Sequence, residues 1–162
     1  MTGRSGGGEV NFRILVVCTG NLCRSPFAEH LLRRRLGEAG LLDIAVASAG
    51  IGAMPGAPCP GNVLEAAREW ELDLSGHRAR QISAEDVEMA DLILTMERYH
   101  YHAVRAAFAV PGDKLHPLAQ FDDGEGPEDV EDPMGLPLDE TREIFARIAL
   151  CVDSVARYYA EE

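Results

Sequence analysis

The segment from Cys18 to Pro26 constrains the fold of this chain more than any other feature. It reads Cys-Thr-Gly-Asn-Leu-Cys-Arg-Ser-Pro, so that five residues separate Cys18 from Arg24. An apolar run, Phe12 to Val17, comes before the segment, and apolar residues at helical spacing follow it. This order predicts a buried strand, a short loop and a helix that begins beside the loop.

A loop of this kind is suited to binding phosphate. Successive backbone N–H groups and the dipole of the following helix both attract an anion. Arg24 would add two parallel hydrogen bonds to phosphate oxygens. The same positive field would favour the thiolate form of Cys18, which is the nucleophilic form. We therefore expect Cys18 to attack a phosphate monoester and to form a phospho-cysteine.

Strands and helices alternate along the rest of the chain. Strands are predicted at residues 12–17, 43–48, 91–96 and 114–118, and the last and most periodic helix at 139–159. The alternation predicts an α/β fold: one three-layer α/β/α domain with a four-stranded, mostly parallel sheet and the phosphate-binding loop after strand 1. Ser25 is expected to cap the first helix, with Pro26 at its first position, and Ser83 to open a later helix in a capping box with Asp86.

Length and charge narrow the classes of partner. The chain of 162 residues is the size of one domain, and we expect residues 1–10, rich in glycine, to be a flexible tail and residues 11–160 to be the catalytic domain. A net charge of −12 disfavours nucleic acid and anionic membranes as partners. Because no apolar stretch reaches membrane-spanning length and residues 1–9 are rich in glycine and serine, we expect no membrane span and no secretory signal, and four cysteines make no disulfide framework. We expect a cytoplasmic monomer.

Asp132, followed by Pro133, is the candidate proton donor. A phenolate is a poor leaving group at neutral pH, so hydrolysis of an aryl phosphate needs a general acid. Proline restricts the residue before it, which would hold Asp132 in a rigid loop. Seven of the eleven residues from Asp122 to Asp132 are acidic, and their charges would favour the protonated form of Asp132. The alternative interpretation is a solvated acidic loop.

The segment from Val17 to Pro26, together with the late Asp132-Pro133 pair, resembles the low-molecular-weight protein tyrosine phosphatases. The motifs Ser48-Ala49-Gly50 and His77-Arg78-Ala79-Arg80-Gln81 support the resemblance, which extends over nearly the whole chain from Phe12. It implies that Cys18 is the nucleophile, that Arg24 clamps the phosphate, and that Asp132 is first the acid and then the base for water.

The resemblance also assigns supporting roles. Ser25 would steady the thiolate of Cys18. Asn21 would hold the loop in a strained conformation, with His77 as its buried partner, and Cys23 would capture oxidised Cys18 as a disulfide. Substrate contacts would come from the loop and the residue after Asp132-Pro133, namely Thr19, Gly20, Asn21, Leu22, Cys23, Ser25 and Met134.

Two residues point to different substrates. Met134, followed by Gly135, stands where family members that act on phosphotyrosine often carry aromatic residues, and is closer to the related protein arginine phosphatases. Leu22 stands where those enzymes tend to have a threonine, and its apolar side chain suits an aryl ring better than a guanidinium. We give Leu22 more weight and expect phosphotyrosine in proteins, or small aryl phosphates, as substrates. The alternatives are a protein arginine phosphatase and, from another class, a non-catalytic phosphate-binding or thiol redox-sensing protein.

The remaining histidines and cysteines carry weaker predictions. We expect no metal and no cofactor, because no second Cys or His pair has ligand spacing. His100 and His102 are expected at the surface. Cys59 and Cys151 are expected to be structural or incidental.

Overall fold

Strand β1, Phe12–Cys18, lies in the middle of a parallel sheet in the computed structural model, which describes residues 9–122 and 126–161. The four strands of this sheet lie in the order β2-β1-β3-β4, where β2 is Ile44–Gly50, β3 is Leu92–Thr95 and β4 is Leu115–Pro117. All three strand pairs are parallel. The predicted four-stranded sheet is therefore confirmed.

The helices cover both faces of this sheet. They are α1 (Arg24–Glu38), α2 (Gly61–Arg68), α3 (Ala84–Met89), α4 (Arg98–Phe108) and α5 (Leu138–Ala160), with a 3₁₀ turn at Leu118–Phe121. Because side chains alternate along a strand, Ile14 and Val16 pack into the core under α1, α2 and α5, whereas Leu15 and Val17 pack into the core under α3 and α4. The predicted three-layer α/β/α architecture is confirmed.

Aromatic packing anchors the first helix. The rings of Phe27 on α1 and Phe145 on α5 are stacked, with centroids 4.0 Å apart and planes 9° apart. Both side chains are fully buried. Removing a buried phenylalanine side chain costs about 3–5 kcal/mol of the free energy of unfolding. This contact therefore holds the first turn of α1 firmly against the core, directly after the predicted phosphate loop.

The first helix begins two residues earlier than the sequence pattern predicts. Cys23 is its N-cap residue, and the helix starts at Arg24, so the prediction that Ser25 is the cap is wrong. The hydroxyl of Ser25 instead bonds to side chains of the preceding loop, which leaves it unavailable for capping. The capping box of Ser83 and Asp86 at α3 is confirmed.

Parts of two predicted segments lie outside the described residues. The predicted tail, residues 1–10, lies outside them except for Glu9 and Val10, and so does part of the acidic segment, residues 123–125. None of the helices in the described part of the chain is long and apolar enough to cross a membrane.

Candidate active site

The loop between β1 and α1 is held by one buried asparagine. Asn21 adopts a left-handed backbone conformation with φ of 57°, which is unfavourable for a residue other than glycine. Its Nδ2 donates to Ser25 Oγ (2.8 Å) and to Ser48 Oγ (2.9 Å), and its Oδ1 accepts from the backbone N–H of Arg80 (3.0 Å). Its carbonyl oxygen bonds to Nε2 of His77, 2.8 Å away. Together, these four contacts hold Asn21 in the strained conformation.

His77 is therefore placed beside Asn21, as the resemblance implies, although its ring is only half-buried. The contact is to the backbone of Asn21 rather than to its side chain. Because the carbonyl oxygen of Asn21 can only accept, His77 must donate from Nε2.

The end of β2 packs directly beneath the same loop. Gly50 pairs with Cys18 in the sheet, and the N–H groups of Ile51 and Gly52 donate to the carbonyl oxygens of Cys18 (3.0 Å) and Thr19 (2.9 Å). A Cβ atom at Gly50 would lie 2.5 Å from the carbonyl oxygen of Thr19, so any larger residue would displace the loop. Gly50 is thus required by the close approach of two backbones.

Cys18 lies at the carboxyl end of β1 with its side chain buried. Its Sγ is 2.9 Å from Ser25 Oγ, which itself accepts a hydrogen bond from Asn21 Nδ2. Since that lone pair of the serine is occupied by the asparagine, the serine hydroxyl hydrogen is free to point to the sulfur. This arrangement can stabilise a negative charge on Cys18 Sγ.

Arg24 presents an unsatisfied edge beside the cysteine. Its side chain is 1% exposed, and Nη1 donates to Glu97 Oε2 (2.6 Å) and to the carbonyl oxygen of Val130 (2.7 Å). Its Nε is buried and has no hydrogen-bond partner among the described residues. A buried donor without a partner costs about 1–3 kcal/mol. An anion that accepts from Nε and Nη2 would remove this cost.

Asp132 lies opposite Arg24. Its Oδ2 is 3.6 Å from Arg24 Nη2, its Oδ1 accepts from the N–H of Met134 (3.0 Å), and its side chain is 47% exposed. The carboxylate can therefore reach both solvent and a phosphate held by the arginine.

The acidic segment that precedes Asp132 is partly neutralised. Arg98 pairs with Glu128 and Asp129, and Arg147 pairs with Asp122. Negative charge on this segment therefore lies beside arginines of α4 and α5. The prediction that it favours the protonated form of Asp132 stays a prediction.

These residues surround one small cavity. Its volume is about 170 Å³, and it is lined by Cys18, Thr19, Gly20, Leu22, Cys23, Arg24, Asp132 and Met134. The half-buried side chain of Leu22 and the exposed side chain of Met134 give it apolar walls. Of the residues predicted to contact substrate, Asn21 and Ser25 are fully buried and support the loop from beneath.

His100 is the site residue that the sequence analysis placed wrongly. It is fully buried, whereas the neighbouring His102 is exposed as predicted. The N–H of Glu97 donates to its Nδ1 (3.0 Å), so its Nε2 carries the hydrogen and donates to Thr19 Oγ1 (2.7 Å). Burial, followed by the positive charge of Arg24, lowers the pKa of His100 to about 4. The sequence signal is the i, i+3 spacing to Glu97, where a helix begins.

Two further cysteines approach Cys18. Burial, followed by the charges of Asp132 and Cys18, raises the pKa of Cys23 to about 12. Burial, followed by the charge of Cys18, raises the pKa of Cys59 to about 11. Cys59, expected to be structural or incidental, thus lies close enough to the cavity to be influenced by its charge.

Comparison with known proteins agrees with this geometry. The sequence profile of the family described as low molecular weight phosphotyrosine protein phosphatase matches residues 13–162. The low molecular weight protein-tyrosine-phosphatase Wzb of Escherichia coli K12 is 37% identical over 148 residues, which are 91% of this chain and 92% of Wzb. The chain therefore belongs to the low molecular weight phosphotyrosine protein phosphatases, a family of metal-independent hydrolases.

Solved structures support the same assignment. The low molecular weight protein tyrosine phosphatase of T. tengcongensis superposes with a TM-score of 0.84 at 34% identity and covers 91% of this chain and 99% of its own. The YwlE arginine phosphatase, as a mutant with a phosphorylated active-site serine, superposes with a TM-score of 0.86 at 30% identity and covers 93% and 97%. The fold is thus shared by proteins named for two different phosphoamino acids.

Proposed function

We propose that this protein hydrolyses phosphotyrosine in proteins through a phospho-cysteine on Cys18. The observation that carries the proposal is the buried, unpartnered Nε of Arg24, which lines the same cavity of about 170 Å³ as Cys18 and Asp132. A guanidinium edge in this state is suited to a tetrahedral anion with two accessible oxygens.

In the first step, Sγ of Cys18 attacks phosphorus and the bond from phosphorus to the tyrosyl oxygen breaks. Asp132 gives its proton to that oxygen, so tyrosine leaves as a neutral phenol. Arg24 neutralises the charge that develops on the phosphoryl oxygens. In the second step Asp132 takes a proton from water, the water oxygen attacks phosphorus, and the S–P bond breaks. Ser25 then stabilises the returning thiolate.

Leu22 and Met134 support phosphotyrosine as the substrate. An aryl ring gains about 25 cal/mol for each Å² of apolar surface that it buries, whereas a guanidinium leaves its N–H groups without acceptors against the same walls. The alternative is a protein arginine phosphatase. The similarity to the YwlE arginine phosphatase and the Met134-Gly135 pair favour that alternative.

The test is kcat/KM for a phosphotyrosine peptide and a phosphoarginine peptide, measured side by side without metal. We expect a preference for phosphotyrosine that disappears in Cys18→Ser. Leu22→Thr should move the preference towards phosphoarginine. A wild-type preference for phosphoarginine would overturn the substrate assignment. Binding of phosphate without turnover of either peptide would place the chain among non-catalytic phosphate-binding or redox-sensing proteins.

We also propose that Cys23 protects the nucleophile from over-oxidation. Hydrogen peroxide would convert the thiolate of Cys18 to a sulfenic acid. Sγ of Cys23 would then attack Sγ of Cys18, so that the S–S bond forms, the S–O bond breaks, and the proton of the Cys23 thiol leaves with the oxygen as water. A cellular dithiol would restore both thiols.

The remaining proposals concern location and assembly. Four free cysteines are compatible with the reducing cytoplasm, and a net charge of −12 supports a monomer without nucleic-acid or membrane partners. Residues 11–160 would form the phosphatase domain. Sedimentation of the purified chain and imaging of a fluorescent fusion would test these proposals.

A further inference from the structure

Glu29 and His30 on α1 and His77 in the loop before α3 bring three ligand-type side chains together outside the phosphate-binding cavity. Their donor atoms all lie within 4.8 Å of one another, and all three side chains are half-buried. We propose that these residues form a binding site for Zn²⁺ or a similar borderline cation, which buttresses the phosphate-binding loop from outside. Two imidazoles and one carboxylate are a common donor set for zinc.

His77 has one ring nitrogen left for a ligand. Because its Nε2 donates to the carbonyl oxygen of Asn21, the lone pair of the neutral ring is on Nδ1. Histidines that bind metals commonly donate their second ring N–H to a backbone carbonyl in this way, which fixes the tautomer and the direction of the ring.

His30 is available as the second nitrogen donor. Its ring lies edge-on to the ring of His77, with centroids 6.5 Å apart. Its ring nitrogens have no hydrogen-bond partner among the described residues. Three ligands of one zinc ion lie roughly 3.3 Å apart, since each bond is about 2.0–2.1 Å long. The three donor atoms would therefore move closer together when the cation binds.

Glu29 keeps lone pairs for a cation. Its Oε1 accepts from Ser48 Oγ (2.6 Å) and its Oε2 pairs with Arg33, which leaves a free lone pair on each oxygen. Arg33 is 49% exposed, and its Nη2 also donates to the carbonyl oxygen of Val46 (2.7 Å), so a cation at Glu29 would compete with this arginine. The charges of Glu29 and Asp73 favour positive charge at His30, whereas burial, Arg33 and His77 oppose it.

Two of the three ligands connect directly to the phosphate-binding loop. Glu29 bonds to Ser48, which accepts from the side chain of Asn21, and His77 bonds to the backbone of the same asparagine. A cation would thus fix both supports of the strained Asn21. We expect metal binding to raise Tm and to slow hydrogen exchange of the loop amides.

The test is titration of the reduced full chain with Co²⁺, a spectroscopic substitute for Zn²⁺. We expect one equivalent to bind, with the visible bands of a four- or five-coordinate site and without the near-ultraviolet charge-transfer band of a thiolate ligand. His30→Ala should raise Kd at least tenfold and abolish the Zn²⁺-dependent rise in Tm. His102→Ala, which removes an exposed histidine, is the matched control and should bind as the wild type does, as should Cys18→Ser.

Three results would overturn the proposal. The first is an unchanged Kd in His30→Ala, and the second is a failure of the wild type to bind Co²⁺ or Zn²⁺. The third is a charge-transfer band that disappears in Cys18→Ser, which would place the metal on the thiols of the cavity. Glu29→Gln, which keeps the side-chain volume, provides a second ligand variant if His30→Ala does not fold.

Discussion

The buried His100 makes a specific prediction about stability in acid. Its pKa is about 4 in the folded protein against an ordinary value of 6.5. Burial and Arg24 lower it, while Glu97, Asp132 and Asp129 act in the opposite direction without restoring it. Between these two values the unfolded state binds more protons at this residue than the folded state does. Stability from His100 is therefore fully present above pH 6.5 and is lost as the pH falls towards 4.

The loss can be worked out from these two values. Between pH 7 and pH 5 it amounts to about 2 kcal/mol of the free energy of unfolding. With a urea dependence of about 2 kcal/mol per molar, the midpoint of unfolding should fall by roughly 1 M. The structural cause is local: a proton on Nδ1 of His100 would displace the N–H of Glu97, which now donates to that atom.

The assay is urea unfolding at pH 7 and pH 5 for the wild type and His100→Gln. Glutamine does not titrate, so carboxylates contribute equally to both proteins and the difference in pH dependence isolates the histidine. We expect the wild type to lose about 2 kcal/mol more than the variant over this interval. Equal losses in the two proteins would refute the reasoning, whatever the absolute stability of the variant.

Three further predictions concern catalysis. Asp132→Asn should lower kcat on phosphotyrosine by about 10²–10⁴-fold, because tyrosine needs a proton donor to leave. The loss should be much smaller on an aryl phosphate whose phenol is strongly acidic, since that phenol can leave without a proton. Equal losses on both substrates would refute the role of Asp132 as the acid. Gly50→Ala should lower kcat/KM on an aryl phosphate by roughly a hundredfold, because the new Cβ would displace the carbonyl of Thr19. Gly52→Ala is the control and should match the wild type, because a Cβ at Gly52 meets no described atom within 4 Å. After treatment with hydrogen peroxide, a reducing dithiol should restore much less phosphatase activity to Cys23→Ser than to the wild type or to Cys59→Ser. Equal recovery of activity in the three proteins would rule out Cys23 as the protecting thiol.

Local pattern was enough to predict much of this structure. The apolar run before Cys18 predicts β1, because a strand buried on both faces needs no polar alternation, and the periodicity of the last helix predicts α5 to within a residue at each end. The prediction that Ser25 is an N-cap failed because a serine oxygen near a helix start can accept from donors other than the first N–H groups of the helix. Only the folded loop shows that Asn21 Nδ2 donates to Ser25 Oγ and that Cys18 Sγ lies 2.9 Å from the same oxygen.

The strand-loop-helix unit, the α/β class and the residues of the phosphate-binding loop could all be predicted from local sequence, because each depends on neighbours along the chain. Three contacts became visible only in the folded chain: His100 lies buried against Thr19, Glu97 and Val130 hold Arg24, and His77 lies beside Glu29 and His30. The physical reason is the parallel sheet. It brings the carboxyl ends of strands that are distant in sequence to one edge of the sheet. The polar side chains there contact partners that cannot be predicted from neighbouring residues along the chain.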